Sequence, residues 1–324
     1  MNPTGGPESR RVPVGVLGAT GYTGQELLER LGRHDGVRVV FATSRSGAGE
    51  PSILPELHLV SPEAAPIGDA EVVFLCLPHG DAATWVDETK PASRVVDLTA
   101  DHRPGSGREN GFVYGLAELH EAKLKGAQNV SNPGCYPTGV LMALVPLVRA
   151  GVMDRERLTV VNAASGVTGA GRTPRADLLF AEIFGNYRAY GEGNKHRHLK
   201  EIHALLPDVP ILFQPHLLPV SRGILETITV PIRDGGGAEA VRRFWREAFA
   251  GAGAVEILPE GLPDLTRVVE TDRLALGAVD VIGVTPRVVT VVAALDNLGK
   301  GAAGQAVQNM NLMLGWQLDR GLRC

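Results

Sequence analysis

Cysteine is scarce in this chain: three among 324 residues, Cys76, Cys135 and Cys324. Few, odd in number and far apart, they exclude a disulfide framework and point to a reducing compartment, the cytoplasm. There is no CxxC pair and no Cys/His ladder, so no metal site is expected. No apolar run reaches the ~18 residues of a membrane-spanning helix. Positive charge is not in excess either. The formal net charge is −4, which excludes the basic field that a nucleic-acid partner needs.

What remains is ordinary globular composition, 44% hydrophobic and 21% charged, in a chain long enough for two domains. The opening "MNPTGGPESRR" is polar and rich in Gly and Pro, and its first ten residues read as a loose tail. The apolar "VPVGVLGA" after Arg10 and Arg11 resembles a short leader, but it runs directly into a glycine turn, as a strand does.

The spacing predicts strands at Val12 to Leu17, Val37 to Ser44, Ala70 to Pro78 and Ser93 to Ala100, with a helix carrying Leu27, Leu28 and Leu31 after the first. Strands separated by crossovers imply a doubly wound parallel sheet. A helix is expected over Thr138 to Ala150. Further strands are read in "RLTVVNAAS", "ILFQPHLLPV", "GILETITVPI" and "RVVTVVAALDN", and an amphipathic helix in "GAEAVRRFWREAFAGAG". The last element, "GAAGQAVQNMNLMLGWQL", is helical in spacing and is expected to return to the first domain.

"GATGYTG" places Gly18, Gly21 and Gly24 between a strand and a helix. Glycines there admit a pyrophosphate to the backbone amides, and the helix N-terminus favours the anion. The end of the second strand then bears on which dinucleotide is bound. An acid for the ribose 2′-hydroxyl is usual in NAD-binding folds, yet "FATSRSGAG" has no carboxylate from Phe41 to Gly49. Ser44, Arg45 and Ser46 instead suit a 2′-phosphate, so NADP is the expected cofactor.

"SNPGCYPTG" sets Cys135 in a turn ahead of a buried helix. A helix N-terminus lowers a thiol's pKa and leaves amides free to hold an oxyanion. A nucleophilic thiol needs a base, and "NKHRHLKEI" offers His196 and His198. If that segment is helical, Glu201 shares a face with His198 and would fix its tautomer. A structural cysteine and a solvated basic loop are the alternatives for these two stretches.

Six blocks in order, "GATGYTG", "SNPGCYPTG", "SGVTGAGR", "YGEGNKHRHLKEI", "PHLLPVSRGIL" and "DNLGKGAAGQAVQNMN", span nearly the whole chain. Together they closely resemble the N-acetyl-γ-glutamyl-phosphate reductases of arginine biosynthesis and, more distantly, the aspartate-semialdehyde dehydrogenases. The resemblance implies an α/β fold: an NADP-binding Rossmann domain, residues 1–134 and 300–324, and an α+β catalytic and oligomerisation domain with a mixed sheet, residues 135–299. It implies NADPH-dependent reductive dephosphorylation of a small-molecule acyl phosphate through a thioester on Cys135, with His198 as base, His196 as the runner-up, and Glu201 beside them. It places Gly18, Thr20, Gly21, Tyr22, Thr23, Gly24, Ser44, Arg45, Ser46, Pro78, Pro133, Gly134, Asn297, Lys300 and Gly301 at the cofactor. It places Arg103, Asn132, Ser165, Gly166, Arg172, His216 and Arg222 at the substrate. A homo-oligomer, dimer or tetramer, is also implied.

One rival is the reductase of the carrier-protein-linked lysine pathway, whose members tend to read "GCNAT" where this chain has "GCYPTG". Others are a non-catalytic NADP sensor, which needs no Cys135 and His198, and a thiol hydrolase, which needs no "GATGYTG".

Overall fold

The computed structural model describes residues 11–324 apart from Asn110, Glu192 and Asp234. The expected loose tail, residues 1–10, lies outside the described residues.

The first sheet is built from β1 (Val12–Leu17), β2 (Val37–Ala42), β3 (Val72–Leu75), β4 (Arg94–Asp97), β5 (Val113–Tyr114) and β6 (Asn129–Ser131). Their order is β2-β1-β3-β4-β6-β5, and every pairing is parallel. Parallel strands need covered faces. Helix α1 (Tyr22–Arg33) buries Leu27, Leu28 and Leu31 against this sheet, while α2 (Asp81–Thr89) and α3 (Ala117–Leu124) form the other crossovers. The strand order reverses between β1 and β3, the place where doubly wound sheets open a ligand crevice.

Helix α4 (Cys135–Arg149) leaves this sheet and is sheathed in apolar side chains from Tyr136 to Leu147. It begins at Cys135 itself, three residues ahead of the expected start, because Gly134 adopts the extended cap conformation and the chain is helical from the next residue. The second sheet comprises β7 (Thr159–Ser165), β8 (Arg188–Ala189), β9 (Ile211–Leu217), β10 (Ile224–Pro231), β11 (Val255–Ile257), β12 (Leu274–Asp280) and β13 (Val288–Leu295). Its order is β11-β12-β13-β10-β7-β9-β8. It is mixed: β7 and β9 run parallel, whereas β10 pairs antiparallel with both β7 and β13. The segment with α5 (Phe180–Ile183) leads into β8, α6 (Leu199–Leu205) precedes β9, and α7 (Ala238–Ala248) packs beside α4 through Trp245, whose indole donates to the Ala143 carbonyl at 2.8 Å.

A π-helical turn, Gly299–Ala303, carries the chain from β13 into α8 (Gly304–Met313). Ala303, Ala306, Val307 and Met310 then share one core with Leu27, Leu28 and Leu31 of α1. The chain thus ends against the elements it began with. No helix among the described residues is long and apolar enough to cross a membrane.

Candidate active site

One cleft of about 1380 Å³ is bordered by the ends of the first sheet's strands and by loops that connect the elements of the second. Its first wall is the β1–α1 turn. Gly18 has φ +83°, and a Cβ there would lie 2.3 Å from the Cys76 carbonyl oxygen at the end of β3. A Cβ on Gly24 would lie 2.4 Å from Gly18 O. These two glycines therefore bring α1 and β3 onto the turn, as a side chain at either would not allow. Gly21 caps α1 and has nothing closer than 3.8 Å. Thr20, Gly21, Tyr22, Thr23 and Gly24 line the cleft, where the first helical amides have no intrahelical acceptor. The cradle fits a dinucleotide's pyrophosphate.

Beyond β2, Ser44 is buried and its Oγ accepts the Gly47 amide at 3.0 Å. Arg45 and Ser46 are exposed on the cleft wall. Arg45 Nη2 donates to Asp81 Oδ2 at 3.0 Å, and Glu50 also lines this region, its Oε2 3.1 Å from where a Gly47 Cβ would stand. The window from Phe41 to Gly49 lacks acids, but the fold brings Glu50, Glu63, Asp81 and Glu88 to the cleft from outside it. Pro78 lines the same wall.

The floor is the turn Asn132–Pro133–Gly134 with Cys135. Asn132 is locked on all sides: its amide donates to Asp97 O at 2.7 Å, its carbonyl accepts Arg103 Nε at 2.8 Å, and its side chain joins Asn309 at 2.9 Å and Ala302 O at 3.2 Å. A Cβ on Gly134 would lie 2.7 Å from His198 Nε2, and one on Gly301 would lie 3.0 Å from Cys135 Cβ. Both glycines keep the space around the thiol narrow and open. Burial pushes that thiol up to about 11, against the Tyr136 amide and the Arg103 and Arg197 guanidinium groups, which favour the thiolate. The expected lowering by the helix N-terminus is thus present but outweighed by desolvation. Cys76 and Cys324 are also raised by burial to about 12; Cys76 lines the cleft beside the glycine turn, and Cys324 does not line it.

His198 immediately precedes α6, is buried, and lines the cleft. Burial, reinforced by Arg103, His196 and Arg197, holds its imidazole well below the usual range, so it is neutral near pH 7. His196 sits behind it. Its ring lies 4.8 Å from that of His198, packs on Tyr136, Tyr190 and Phe213, and does not line the cleft. Glu201 departs from the expected pairing. Its Oε1 accepts Arg103 Nη1 at 3.1 Å, and its Oε2 accepts the Tyr114 hydroxyl and the Gly134 amide, each at 3.0 Å. His198 Nδ1 is buried with no hydrogen-bond partner among the described residues. The first turn of α6 directs the acid back to the cysteine turn and not to the imidazole.

The other expected substrate and cofactor residues divide. Arg103 is buried with its third nitrogen, Nη2, on Leu98 O at 2.9 Å, and lines the cleft. Arg172 lines it too, donating to Thr20 O at 2.7 Å, as does Asn297, which holds Gly223 N and Thr168 Oγ1. Lys300 is fully buried, with Nζ 2.5 Å from Glu118 Oε1 and 2.5 Å from Gln308 Oε1; the π-turn points it into the core, away from the cofactor wall. Arg222 is engaged by Glu26 and Asp296. Ser165 is buried on its neighbour's carbonyl, Gly166 packs on the Arg222 backbone, and His216 stacks on Tyr187; none of these lines the cleft.

Two residues went unread in the sequence. Arg197, between the histidines, lines the cleft and an adjoining pocket of about 440 Å³ that also includes Lys200, and it has no carboxylate partner among the described residues. Its signal was its place inside "HRH". Glu226 of β10 is fully buried under α4, its Oε2 2.1 Å from where a Gly139 Cβ would be, and neither oxygen has a hydrogen-bond partner among the described residues. Burial holds it well above the carboxylate range. Among the described residues no His, Cys, Asp or Glu cluster is arranged for a metal.

Residues 13–127 match the family model described as semialdehyde dehydrogenase, NAD binding domain, and residues 135–297 the one described as semialdehyde dehydrogenase, dimerisation domain. The fold agrees. It superposes on aspartate semialdehyde dehydrogenase II from Vibrio cholerae with a TM-score of 0.76 at 19% identity, covering 95% of this chain and 99% of that one. The Candida albicans aspartate semialdehyde dehydrogenase with NADP gives 0.69 at 20% identity, over 94% and 98%. Fold and cleft are those of the semialdehyde dehydrogenase class, an oxidoreductase built on an NAD(P)-binding domain.

Within it the relatives are specific. N-acetyl-γ-glutamyl-phosphate reductase of Akkermansia muciniphila is 40% identical over 97% of this chain and 99% of that protein. The Moorella thermoacetica protein of the same name is 39% identical over 94% and 96%. The chain belongs to the N-acetyl-γ-glutamyl-phosphate reductase family.

Proposed function

We propose that this protein reduces N-acetyl-γ-glutamyl phosphate to N-acetyl-L-glutamate 5-semialdehyde and phosphate with NADPH. The observation that carries the reading is that Cys135, His198 and the glycine turn line one cleft. Two sequence signals more than a hundred residues apart meet there.

The chemistry follows from the two perturbed groups. The resting thiol is protonated and the imidazole neutral, so the pair begins in the state a general base requires. His198 takes the thiol proton as Sγ attacks the acyl carbon; the carbon–oxygen bond to phosphate breaks and phosphate leaves. The free amides at the start of α4 face the developing oxyanion. When bound, the reduced dinucleotide supplies the hydride that the thioester accepts. The resulting anionic tetrahedral adduct then loses the carbon–sulfur bond, releasing the aldehyde, and His198 returns its proton to the thiolate to restore the resting thiol. Arg103, Arg172 and Arg197 supply positive charge to the substrate's anionic groups. Arg197 has no carboxylate partner among the described residues, whereas Arg103 already serves Glu201.

Ser44, Arg45 and Ser46 support NADP over NAD, with Arg45 exchanging Asp81 for a 2′-phosphate. We read residues 1–134 and 300–324 as the dinucleotide unit and 135–299 as the catalytic and oligomerisation unit. Phe180 and Phe184, stacked at 4.9 Å and 73% and 70% exposed, support a homo-oligomer in which a second copy covers them. A cytoplasmic setting accords with three unpaired thiols.

The test is a substrate panel in the oxidative direction: N-acetylglutamate, N-acetylaminoadipate and aspartate semialdehydes, with NADP or NAD and with or without phosphate. Phosphate-dependent NADP reduction by the first is expected. Preference for another semialdehyde would overturn the substrate assignment.

A further inference from the structure

Arg222 was expected among the substrate's ligands, and its surroundings assign it elsewhere. Five side chains form one line of ion pairs: Asp272, Arg30, Glu26, Arg222 and Asp296. Each of the four links is 2.7 Å long. Asp272 and Asp296 are fully buried, and the Arg222 side chain is 15% exposed. Glu26 and Arg30 belong to α1, the helix that opens at the glycine turn. Arg222 and Asp296 belong to the second sheet's connections. Gly304 makes room for the far end of the line, since a Cβ there would sit 2.4 Å from Asp272 Oδ1.

The backbone around Arg222 carries the cleft's other wall. Gly166 N donates to Gly223 O at 2.9 Å, Val167 N to Val220 O at 2.9 Å, and Thr168 N to Ser221 O at 3.1 Å. The strip Thr168–Arg172 that follows lines the cleft opposite the glycine turn, and Arg172 reaches Thr20 O. Arg222 itself does not line the cleft, and its Nη2 is buried without a hydrogen-bond partner among the described residues. The two joined connections therefore rest on the first unit at two places, Arg172 on the glycine turn at Thr20 O and Arg222 on α1 at Glu26.

We propose that Arg222 is a positioning residue for the nicotinamide dinucleotide: through Glu26 it fixes the strip Thr168–Arg172 over the glycine turn. Charge-assisted hydrogen bonds are short and directional, so two of them from one guanidinium hold a fixed angle between helix and loop. A substrate-ligand role would instead need a guanidinium nitrogen in the cleft.

The inference rests on the cleft being a dinucleotide site, and one titration separates the two. Binding of NADP and NADPH to the full chain, without substrate, is measured by fluorescence for wild type, Arg222→Ala, Arg222→Lys, Glu26→Gln and the double variant Glu26→Gln/Arg222→Ala, alongside steady-state kinetics. Wild type that fails to bind either dinucleotide removes the cleft assignment and this inference with it. Wild type binds, Arg222→Ala and Glu26→Gln each weaken NADP about tenfold, and the double variant is no weaker than the worse single one. Arg222→Lys recovers part of the loss, and KM for the semialdehyde stays within about twofold. Unchanged dinucleotide binding in Glu26→Gln overturns the inference and leaves the cleft assignment standing. So does a tenfold rise in semialdehyde KM in Arg222→Lys with NADP binding intact. If Arg222→Ala does not fold, the Lys and Gln variants decide.

Discussion

The Glu201 carboxylate accepts the Gly134 amide at 3.0 Å across 67 residues of chain. The same side chain takes Arg103 and Tyr114, so it ties the turn before the nucleophile to α6 and neutralises a buried guanidinium. Removing it leaves Arg103 buried and unpaired, which costs roughly 3–5 kcal/mol of stability. Glu201→Gln is expected to unfold at lower temperature and to lose about tenfold or more in kcat. A variant with wild-type stability would show that the tie carries no weight. The acidic limb of the pH profile, set by protonation of a base held below the usual imidazole range, is expected to persist, because His198 does not depend on this acid for its tautomer.

Arg45 is exposed, and its ion pair among the described residues is with Asp81. Arg45→Ala is expected to weaken NADP by about tenfold, a loss of about 1.4 kcal/mol in line with a charge-assisted contact, and to leave NAD unchanged. Asp81→Asn should move the other way, freeing the cation for a 2′-phosphate. Equal losses for both dinucleotides in Arg45→Ala would place the 2′-phosphate elsewhere.

The free thiol offers a direct reading of its electrostatics. Burial raises Cys135 from an ordinary value of 9.0 to about 11. In a Cys76→Ser/Cys324→Ser background, alkylation of the ligand-free protein should be slow at pH 8 and climb until about pH 11. The sign for stability follows: the raised thiol's contribution is complete below pH 9 and is lost as pH rises from 9 through 11. An alkylation midpoint below pH 8 would mean that the helix N-terminus and the guanidinium groups win.

Glu226 is an acid with no partner in an apolar setting, beneath Gly139 and beside Leu295. An unsatisfied buried polar group costs roughly 1–3 kcal/mol, so Glu226→Met is expected to stabilise the fold by about that amount. The folded acid titrates above its unfolded value of 4.5, so its contribution is most favourable below pH 4.5 and declines as pH rises. The gain from Met should therefore be larger at pH 7 than at pH 4.5. Chemical denaturation at both values measures it, and a destabilised Met variant at both would mean that the acid has a partner.

Much of this was legible because apolar patterning and glycine spacing are local. Val12 to Leu17 was read to the residue, and the turn after it needs Gly18 and Gly24 for contacts with neighbours in the same unit. The β12 strand, Leu274–Asp280, went unread, since its register against β13 is a long-range fact. The site was less legible wherever function depends on what a side chain meets at a distance. Lys300 and Arg222 looked like free cations in sequence, yet Glu118, more than a hundred residues earlier, takes one, and Glu26 takes the other. Glu201 lies near His198 in the chain, but Arg103 and Gly134 claim it in space. Desolvation at Cys135 likewise has no local signature, because Gly301 of the π-turn and the core of the second sheet, both far along the chain, pack against it.

The account turns on one atom, the sulfur of Cys135, and one assay tests it. Wild type and Cys135→Ser are compared for NADP reduction with N-acetylglutamate semialdehyde and phosphate, with folding of both verified by thermal unfolding. Phosphate-dependent reduction in wild type and a fall of about a thousandfold or more in the serine variant are predicted, since the residual rate comes from binding and oxyanion contacts alone. A serine variant that keeps wild-type turnover would contradict a thioester on Cys135.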